Sequence, residues 1–600
     1  MFVSFIKNEG FDGIDLSSPL FPSAEDRAFW ERFNVPGLIE AAQGLLDYPW
    51  PIISAVAFRE FKVSGDRRIM EKVHFERRKN FVTLILAEAK ENKGRFLPQV
   101  LNGALAICEE TYWGVSAHWH PEGVIKQLPH FDSHYIDLFA AETAEHLAMA
   151  YYILKKPLTE YCPDILERIE YELDRRIKKP YTENEDFWWM GRKRKPNNWN
   201  PWIISNLITV YLATESDEQR KKAALTKMLS ELQNYLDAIP EDGGCDEGAD
   251  YWGLAGASLF ECVYQLKVAS GGKIDFFKNE KLKRIGEYML RVHLSGPYFV
   301  CFADGVPSPK RASGVFVYAY GKETESPALM SLGKEMTFAE LPAGESPYLM
   351  IDNVRRNIYN YLFVTEMKEK SLGQLKHPPL ELLRDLQVAV LREGDWTLAA
   401  KGGHNGESHN HNDVGSFSLY RQGKPVLVDV GIGTYTRQTF SSERYLIPWV
   451  NSRTHNLPII NGTEQSEGRE YAASRFEAHE GRLAVSYEKA YPAEAGVTSL
   501  ERVYTLSESG LSFTDRLSFR DSTRTSVTEV LMTTLTPEIK DGEVILGGKL
   551  RITASGEPKL EYMSFEGDEK FIKAHKTEGV YRITFFTENE AVIEVSISVL

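Results

Sequence analysis

The chain has 600 residues, 43% hydrophobic and 26% charged, with a net charge of −15. That length exceeds one compact core and implies about three to six units, or fewer if one is a large toroid or barrel. The balance excludes a disordered or collagen-like chain. The acidic sum argues against nucleic acid or a membrane surface as partner and, at face value, against an anionic ligand.

The N-terminal stretch MFVSFIKNEGFDGIDLSS is too short and interrupted to serve as a signal peptide, and no run of about 18 apolar residues occurs, so a cytoplasmic protein is expected. From there the texture is helical. Apolar residues recur at three- and four-residue steps in Ala55–Val63, Arg78–Lys90, Leu97–Glu110, Tyr135–Leu154, Ile165–Ile177, Trp202–Leu212, Gln219–Ile239, Ala255–Ala269 and Leu282–Leu294. So many similar helices in series predict hairpins stacked in an arc or ring. Residues 296–374 read as mixed and transitional. After about residue 375, short β-branched runs separated by turns take over, beginning with Gln387–Leu391, Trp396–Ala400, Ser416–Tyr420 and Val426–Val430 and ending with Val580–Phe586 and Ala591–Ser598. Strands without intervening helices predict an antiparallel sandwich. The expected organisation is a helical domain over 1–374 and a β-domain over 375–600, with a cleft between them. Five widely spaced cysteines without a CxxC read as reduced thiols.

Four clusters concentrate chemistry. Glu109, Glu110, Tyr112 and Trp113, with His118, His120, His130 and His134 nearby, suit sugar stacking and hydroxyl binding, and equally ordinary packing. Arg192–Lys195 run into Asn197-Asn198-Trp199-Asn200-Pro201-Trp202 just before a helix. The asparagines there can cap the helix or donate to a ligand carboxylate at its positive end, and the basic run can be a solvated patch or an anion funnel. In Asp242-Gly-Gly-Cys-Asp-Glu247-Gly-Ala-Asp-Tyr251-Trp252 the glycines permit an irregular loop from which Tyr251 and Trp252 can face a cleft, with core packing the plainer alternative. The densest cluster is Ser408-His409-Asn410-His411-Asn412-Asp413. In extended chain His409 and His411 point to one face. Asp429 ends an apolar strand, where a carboxylate is costly unless paired or metal-bound, and His455 follows. His411, Asp429 and His455 make an N2O set suited to zinc, although polar residues on a wet loop would look the same.

The stretch SHNHNDVGSFSLYRQGKPVLVDVGIGTYT with SRTHNLPIINGTEQ, preceded by NNWNPW and DEGADYWG, resembles the heparinase II/III-like polysaccharide lyases in both halves and in order. The resemblance implies an incomplete (α/α) toroid followed by an antiparallel multi-sheet β-domain. It also implies β-elimination on uronic-acid glycans of the glycosaminoglycan type (heparin or heparan sulfate, chondroitin, hyaluronan). Asn198 would bind the uronate carboxylate and Tyr251 would act as acid. His409 would be the second catalytic group, and Tyr445 a further acid with Tyr435 as second choice. Expected substrate-binding residues are Asn197, Trp199, Arg194, Glu247, Trp252, Tyr112, Trp113, His130 and Arg453. His411, Asp429 and His455 would hold one structural zinc ion, with no organic cofactor. Two alternatives stay open: a toroid glycoside hydrolase using two carboxylates from Asp242, Asp246, Glu247 or Glu109, and a non-catalytic sugar-binding relative. The implied partner is an acidic oligosaccharide, and a homo-oligomer is compatible with the sequence. The −15 sum says little about a cleft flanked by Arg192–Lys195, because screening over about 8 Å makes the local field decisive.

Overall fold

The computed structural model describes the chain except residues 120–125, 132–133, 310–312, 340, 342–345, 349–350, 436–437 and 522–524. Helices begin where a side chain can take the first free backbone N–H groups. Asp137 caps Leu138–Ile153, Asp217 caps Glu218–Ala238 and Asn279 caps Glu280–Arg291. The predicted helices all appear, most of them within a few residues of their expected ends. Two of them, Leu138–Ile153 and Trp199–Thr214, are buried nearly all round and form the inner wall of an (α/α) toroid. Charge is buried there too. Arg355, 1% exposed, donates to Glu261, to the Ser205 carbonyl and to Asn206, tying three helices together. A guanidinium so fully paired can stand in a core.

The transitional segment resolves differently from its reading. Its described residues are mainly helical, as Gly314–Glu323, Pro327–Phe338 and Val354–Glu369. Glycine obscured the pattern. A Cβ on Gly333 would lie 2.3 Å from the Tyr318 nitrogen, so this glycine serves close helix–helix contact rather than a turn.

The C-terminal part is antiparallel throughout its named sheets. A five-stranded sheet runs in chain order from Leu380–Leu383 to Lys424–Leu427, facing an eight-stranded sheet built around Val497–Ser507, Gly510–Phe519 and Val592–Val599. Leu398, Phe417, Tyr504, Phe513 and Ile597 meet in the shared core. A four-stranded sheet with Ser526–Thr533 and Gly579–Glu588 adds Val527, Leu531, Ile583 and Phe585 to that core and packs its other face against Val428 and Val430. The chain is thus an (α/α) toroid followed by an antiparallel β-sandwich domain. Strand Val497–Ser507 escaped the sequence reading because an inward position carries Arg502, which breaks the apolar alternation. No helix among the described residues is long and apolar enough to cross a membrane.

Candidate active site

Asn198 and Tyr251 enter from the toroid and His409 from the β-domain, and the fold brings the three together. Asn198 is the N-cap residue of the helix Trp199–Thr214 but its side chain makes no capping bond; Asn197 Oδ1 accepts from the Trp199 N–H at 3.1 Å instead. The Asn198 amide is therefore left for the cleft, where its Nδ2 donates to Glu247 Oε2 at 2.7 Å. The same Glu247 oxygen lies 3.8 Å from His409 Nε2. Burial pushes the Glu247 carboxyl up to about 7, the His409 charge opposing it and Asp246 adding to it. Tyr251 stacks on the His409 ring at 4.8 Å between centroids.

The group that organises this meeting, Asp304, lies in the transitional segment and was not anticipated. Its buried carboxylate accepts from His409 Nδ1 (2.8 Å), Tyr435 (2.9 Å) and Arg444 (2.6 Å), and lies 3.1 Å from His411 Nε2. Burial pushes Asp304 up, but the bonds from His409 and His411 and the charges of His411 and Arg444 outweigh it, holding the carboxyl well below the usual range. An anion on Nδ1 fixes that nitrogen as the proton carrier and turns the other, Nε2, toward Glu247 and the cleft. His409 is raised in turn: burial lowers it, but the Asp304 bond and the Glu247 and Asp304 charges prevail. Its backbone stands at φ 54°, a left-handed conformation uncommon outside glycine, with its carbonyl accepting from the Asp304 N–H and from Arg444.

The tyrosines reverse the expected order. The Tyr251 and Tyr435 hydroxyls are 2.7 Å apart, whereas Tyr445 donates to Asn410 Oδ1 at 2.8 Å. Tyr445 is corrected as the β-domain tyrosine at the centre; Tyr435 takes that place. Because the single Tyr435 proton goes to Asp304, Tyr251 is the donor in the Tyr251–Tyr435 pair.

Two expected ligand contacts, Trp113 and Tyr112, are corrected by burial, whereas Arg453 and His130 stay exposed. Trp113 and Trp252 are 2% and 1% exposed, and their indole N–H groups are spent on the carbonyls of Ile107 and Ile285. Tyr112 packs against Phe58 and Trp119 in a separate core. Arg453 is held by Glu464, with Nε to Oε1 at 2.8 Å, and His130 stacks on Phe131. His120 lies outside the described residues. Trp199 remains half-buried against Trp188 and His118, and Arg194 lies over the Trp188 ring at 4.1 Å. The anion funnel is weaker than its sequence suggested, since Arg192, Lys193 and Lys195 pair with Glu185, Asp186 and Asp246. A shallow cleft lined by Lys195, Asn197, Asp246, Glu247, Ser408 and the buried Trp252 adjoins the cluster.

Behind His409, the predicted metal set converges. Ligand atoms of His411, Asp429 and His455 all lie within 4.8 Å of one another, and all three residues are buried. His411 Nδ1 and His455 Nε2 have no hydrogen-bond partner, while Asp429 accepts from His455 Nδ1 at 2.9 Å. Two orphaned imidazole nitrogens beside a buried carboxylate are costly without a cation, so the donors fit a metal ion.

Residues 376–599 match the family Heparinase II/III-like, C-terminal. Among solved structures, the chain resembles a heparinase III, the BT4657 gene product, at 12% identity and a TM-score of 0.65, covering 97% of this chain and 87% of that one. It also resembles the heparan sulfate lyase HepC from Pedobacter heparinus at 12% identity and a TM-score of 0.60, covering 100% and 87%. A further heparinase III structure gives 13% identity and a TM-score of 0.59, covering 100% and 88%. Among curated proteins, none matches the sequence. Residues 376–599 thus form a heparinase II/III-like C-terminal domain, carried behind an (α/α) toroid in a chain with the fold of heparinase III.

Proposed function

We propose that the protein is a carbon–oxygen lyase that cleaves uronic-acid glycans by β-elimination. The observation that carries this reading is the junction of Asn198, Glu247, Tyr251 and His409 across the two halves of the fold. The C5 proton of a uronate is hard to remove while the adjoining carboxylate is charged. Donors at that carboxylate stabilise the enolate-like intermediate, each worth about 10²–10³-fold. Asn198 offers its amide, and Glu247, neutral below about pH 7, can donate rather than repel. His409 Nε2, its partner nitrogen tied to Asp304, takes the C5 proton. Tyr251 delivers its hydroxyl proton to the O4 leaving group, and the electron pair of the C5–H bond becomes the C4–C5 double bond. Trp199 and Arg194 flank the glycan.

The hydrolase alternative needs two carboxylates facing one bond. Of its four candidates, Glu109 pairs with Arg168, Asp246 with Lys195, and Asp242 accepts from the backbone of Asp385 and Leu386. Only Glu247 stands beside His409, which favours the lyase. The test is ultraviolet absorbance of the conjugated product over glycosaminoglycan and alginate oligosaccharides. A rise on any of them supports the reading; hydrolysis without a rise overturns it.

For the metal, the N2O donor set fits zinc with water as fourth ligand. Bound there, the ion would brace the loop that carries His409. Elemental analysis after dialysis is expected to find about one zinc per chain, and metal-free protein with undiminished thermal stability would contradict it.

A further inference from the structure

The loop that carries His409 and His411 is closed at its base by one buried cation. Lys401 ends the strand Trp396–Lys401 and is 2% exposed. Its Nζ lies 2.9 Å from Glu407 Oε2 and donates to Asp413 Oδ1 at 2.6 Å, and those two carboxylates bracket both histidines. The backbone repeats the tie. The Lys401 N–H donates to the Ser416 carbonyl and its own carbonyl accepts from the Gly415 N–H, both at 3.0 Å. Burial opposes the charge of Lys401, but Asp413 and Glu407 outweigh it and raise the ammonium above the usual lysine range.

The two carboxylates are not equivalent. Glu407 borders the toroid: its Oε1 accepts from the His404 N–H at 3.2 Å, and the residue lines a crevice beside Cys245, Asp246 and Tyr288. Asp413 borders the metal donors. It is fully buried, and its charge acts on both His411 and His455. Lys401 takes one of its oxygens; the other, Oδ2, is buried with no hydrogen-bond partner, as are His411 Nδ1 and His455 Nε2. A buried acceptor left bare is costly. Asp413 nevertheless stands outside the set His411, Asp429 and His455, whose ligand atoms lie within 4.8 Å of one another, so direct ligation does not account for it.

Charge points the same way. Asp304 is answered by Arg444 at 2.6 Å. Lys401 cancels one of its two carboxylates, and the other, with Asp429, leaves the pair of negative charges that a divalent cation neutralises. We propose that Asp413 is an outer-shell carboxylate of the metal centre, its Oδ2 accepting from a water on the ion, and that Lys401 is the positioning residue that fixes its orientation. Outer partners of this kind orient the ligands and set the charge that the ion meets. Because one lysine holds both ends of the loop, the outer shell of the ion and the placement of His409 share an anchor. The inference rests on the metal reading above and not on the lyase chemistry.

The experiment is a zinc titration of the full chain against a competing chelator, in the parent, Asp413→Asn and Glu407→Gln. Each variant removes one carboxylate and leaves Lys401 paired with the other, so neither strands a buried cation. Asp413→Asn is expected to weaken zinc binding about 10–100-fold, and Glu407→Gln to stay within about threefold of the parent. Cobalt(II) in place of zinc supplies a spectroscopic readout: its visible bands should shift in Asp413→Asn and keep their positions in Glu407→Gln. Should Asp413→Asn fail to fold, Lys401→Met/Asp413→Asn removes the ion pair as a unit and carries the same expected loss. Parental zinc affinity in the Asp413 variant, or an equal loss in both single variants, would overturn the proposal, the second result marking the clamp as a fold contact only. A parent that takes up no zinc would overturn the metal reading and this proposal with it, whereas a zinc-binding parent with unchanged variants overturns this proposal alone.

Discussion

Two buried charge networks in this chain look alike on paper and differ in kind. In the sandwich core Arg502 pairs with Asp515 and Glu529, all three fully buried, with Nη2 bonds of 2.6 to 2.8 Å. Burial pushes Glu529 up to about 8 against the Arg502 charge, and aromatic rings surround the guanidinium. Every member faces another member or a carbonyl. At the junction of the two halves Asp304 likewise gathers His409, His411, Tyr435 and Arg444. That network does not close on itself: His409 Nε2 and the Tyr251 ring face a cleft, and His411 leaves Nδ1 without a partner. Buried charge alone is therefore a poor sign of function. A network that ends in groups pointing at empty space is a better one.

The largest expected effect that sharpens this contrast is at Tyr251. Tyr251→Phe should lower kcat by about 10²–10⁴-fold with melting temperature and oligosaccharide binding nearly unchanged; continuous absorbance assays and calorimetry read both. On the closed network the effect should move to stability. Arg502→Met leaves two buried carboxylates facing each other, and denaturant unfolding should lose about 3–5 kcal/mol while the folded fraction keeps its kcat. An Arg502→Met variant of normal stability but lost activity would erase the distinction.

Asp304→Asn tests the hub. A neutral amide no longer fixes the proton on His409 Nδ1, so kcat should fall about 10²-fold or more, with metal content reduced because His411 loses its outer partner. Activity and zinc both at parental levels would remove Asp304 from the site. A smaller effect concerns pH. Asn198, His409 and Asp246 face Glu247, whose carboxyl is raised from 4.5 to about 7. Its stabilisation of the fold is complete below about pH 4.5 and is lost as pH climbs through about 7. Affinity for a uronate should fall over the same rise, as the neutral donor becomes a repelling anion. Glu247→Gln should flatten that limb, and an unchanged pH profile would take Glu247 out of carboxylate recognition.

Much of the fold was legible because periodicity is a local property. The toroid helices repeat apolar residues on one face, and most sandwich strands alternate. The failures have local causes. Helices after residue 313 carry glycines that serve close packing at Gly314 and Gly333. Strand Glu557–Ser564 is largely exposed, so no inward apolar row marks it. In the site, Asn198, Tyr251 and His409 were readable from motif context, as were His411, Asp429 and His455. Asp304 was not: it stands in an unremarkable Ala-Asp-Gly turn, and its partners are 105 to 140 residues away. The sequence ranking of Tyr445 above Tyr435 was reversed, since only the path of the chain between the two decides which hydroxyl reaches Tyr251.

The sequence by itself determined the order of the two architectures, the resemblance of the β-domain and the residue types that gather at the junction, because helix period, strand alternation and short motifs are written within a few residues. Tertiary structure alone decided that the basic run is mostly neutralised, that Trp113 is core, and that Asp304 joins His409 to His411. Those facts depend on which distant side chains share a few ångströms. Burial and hydrogen-bond partners, which set the charge and reach of each group, exist only once the chain has closed.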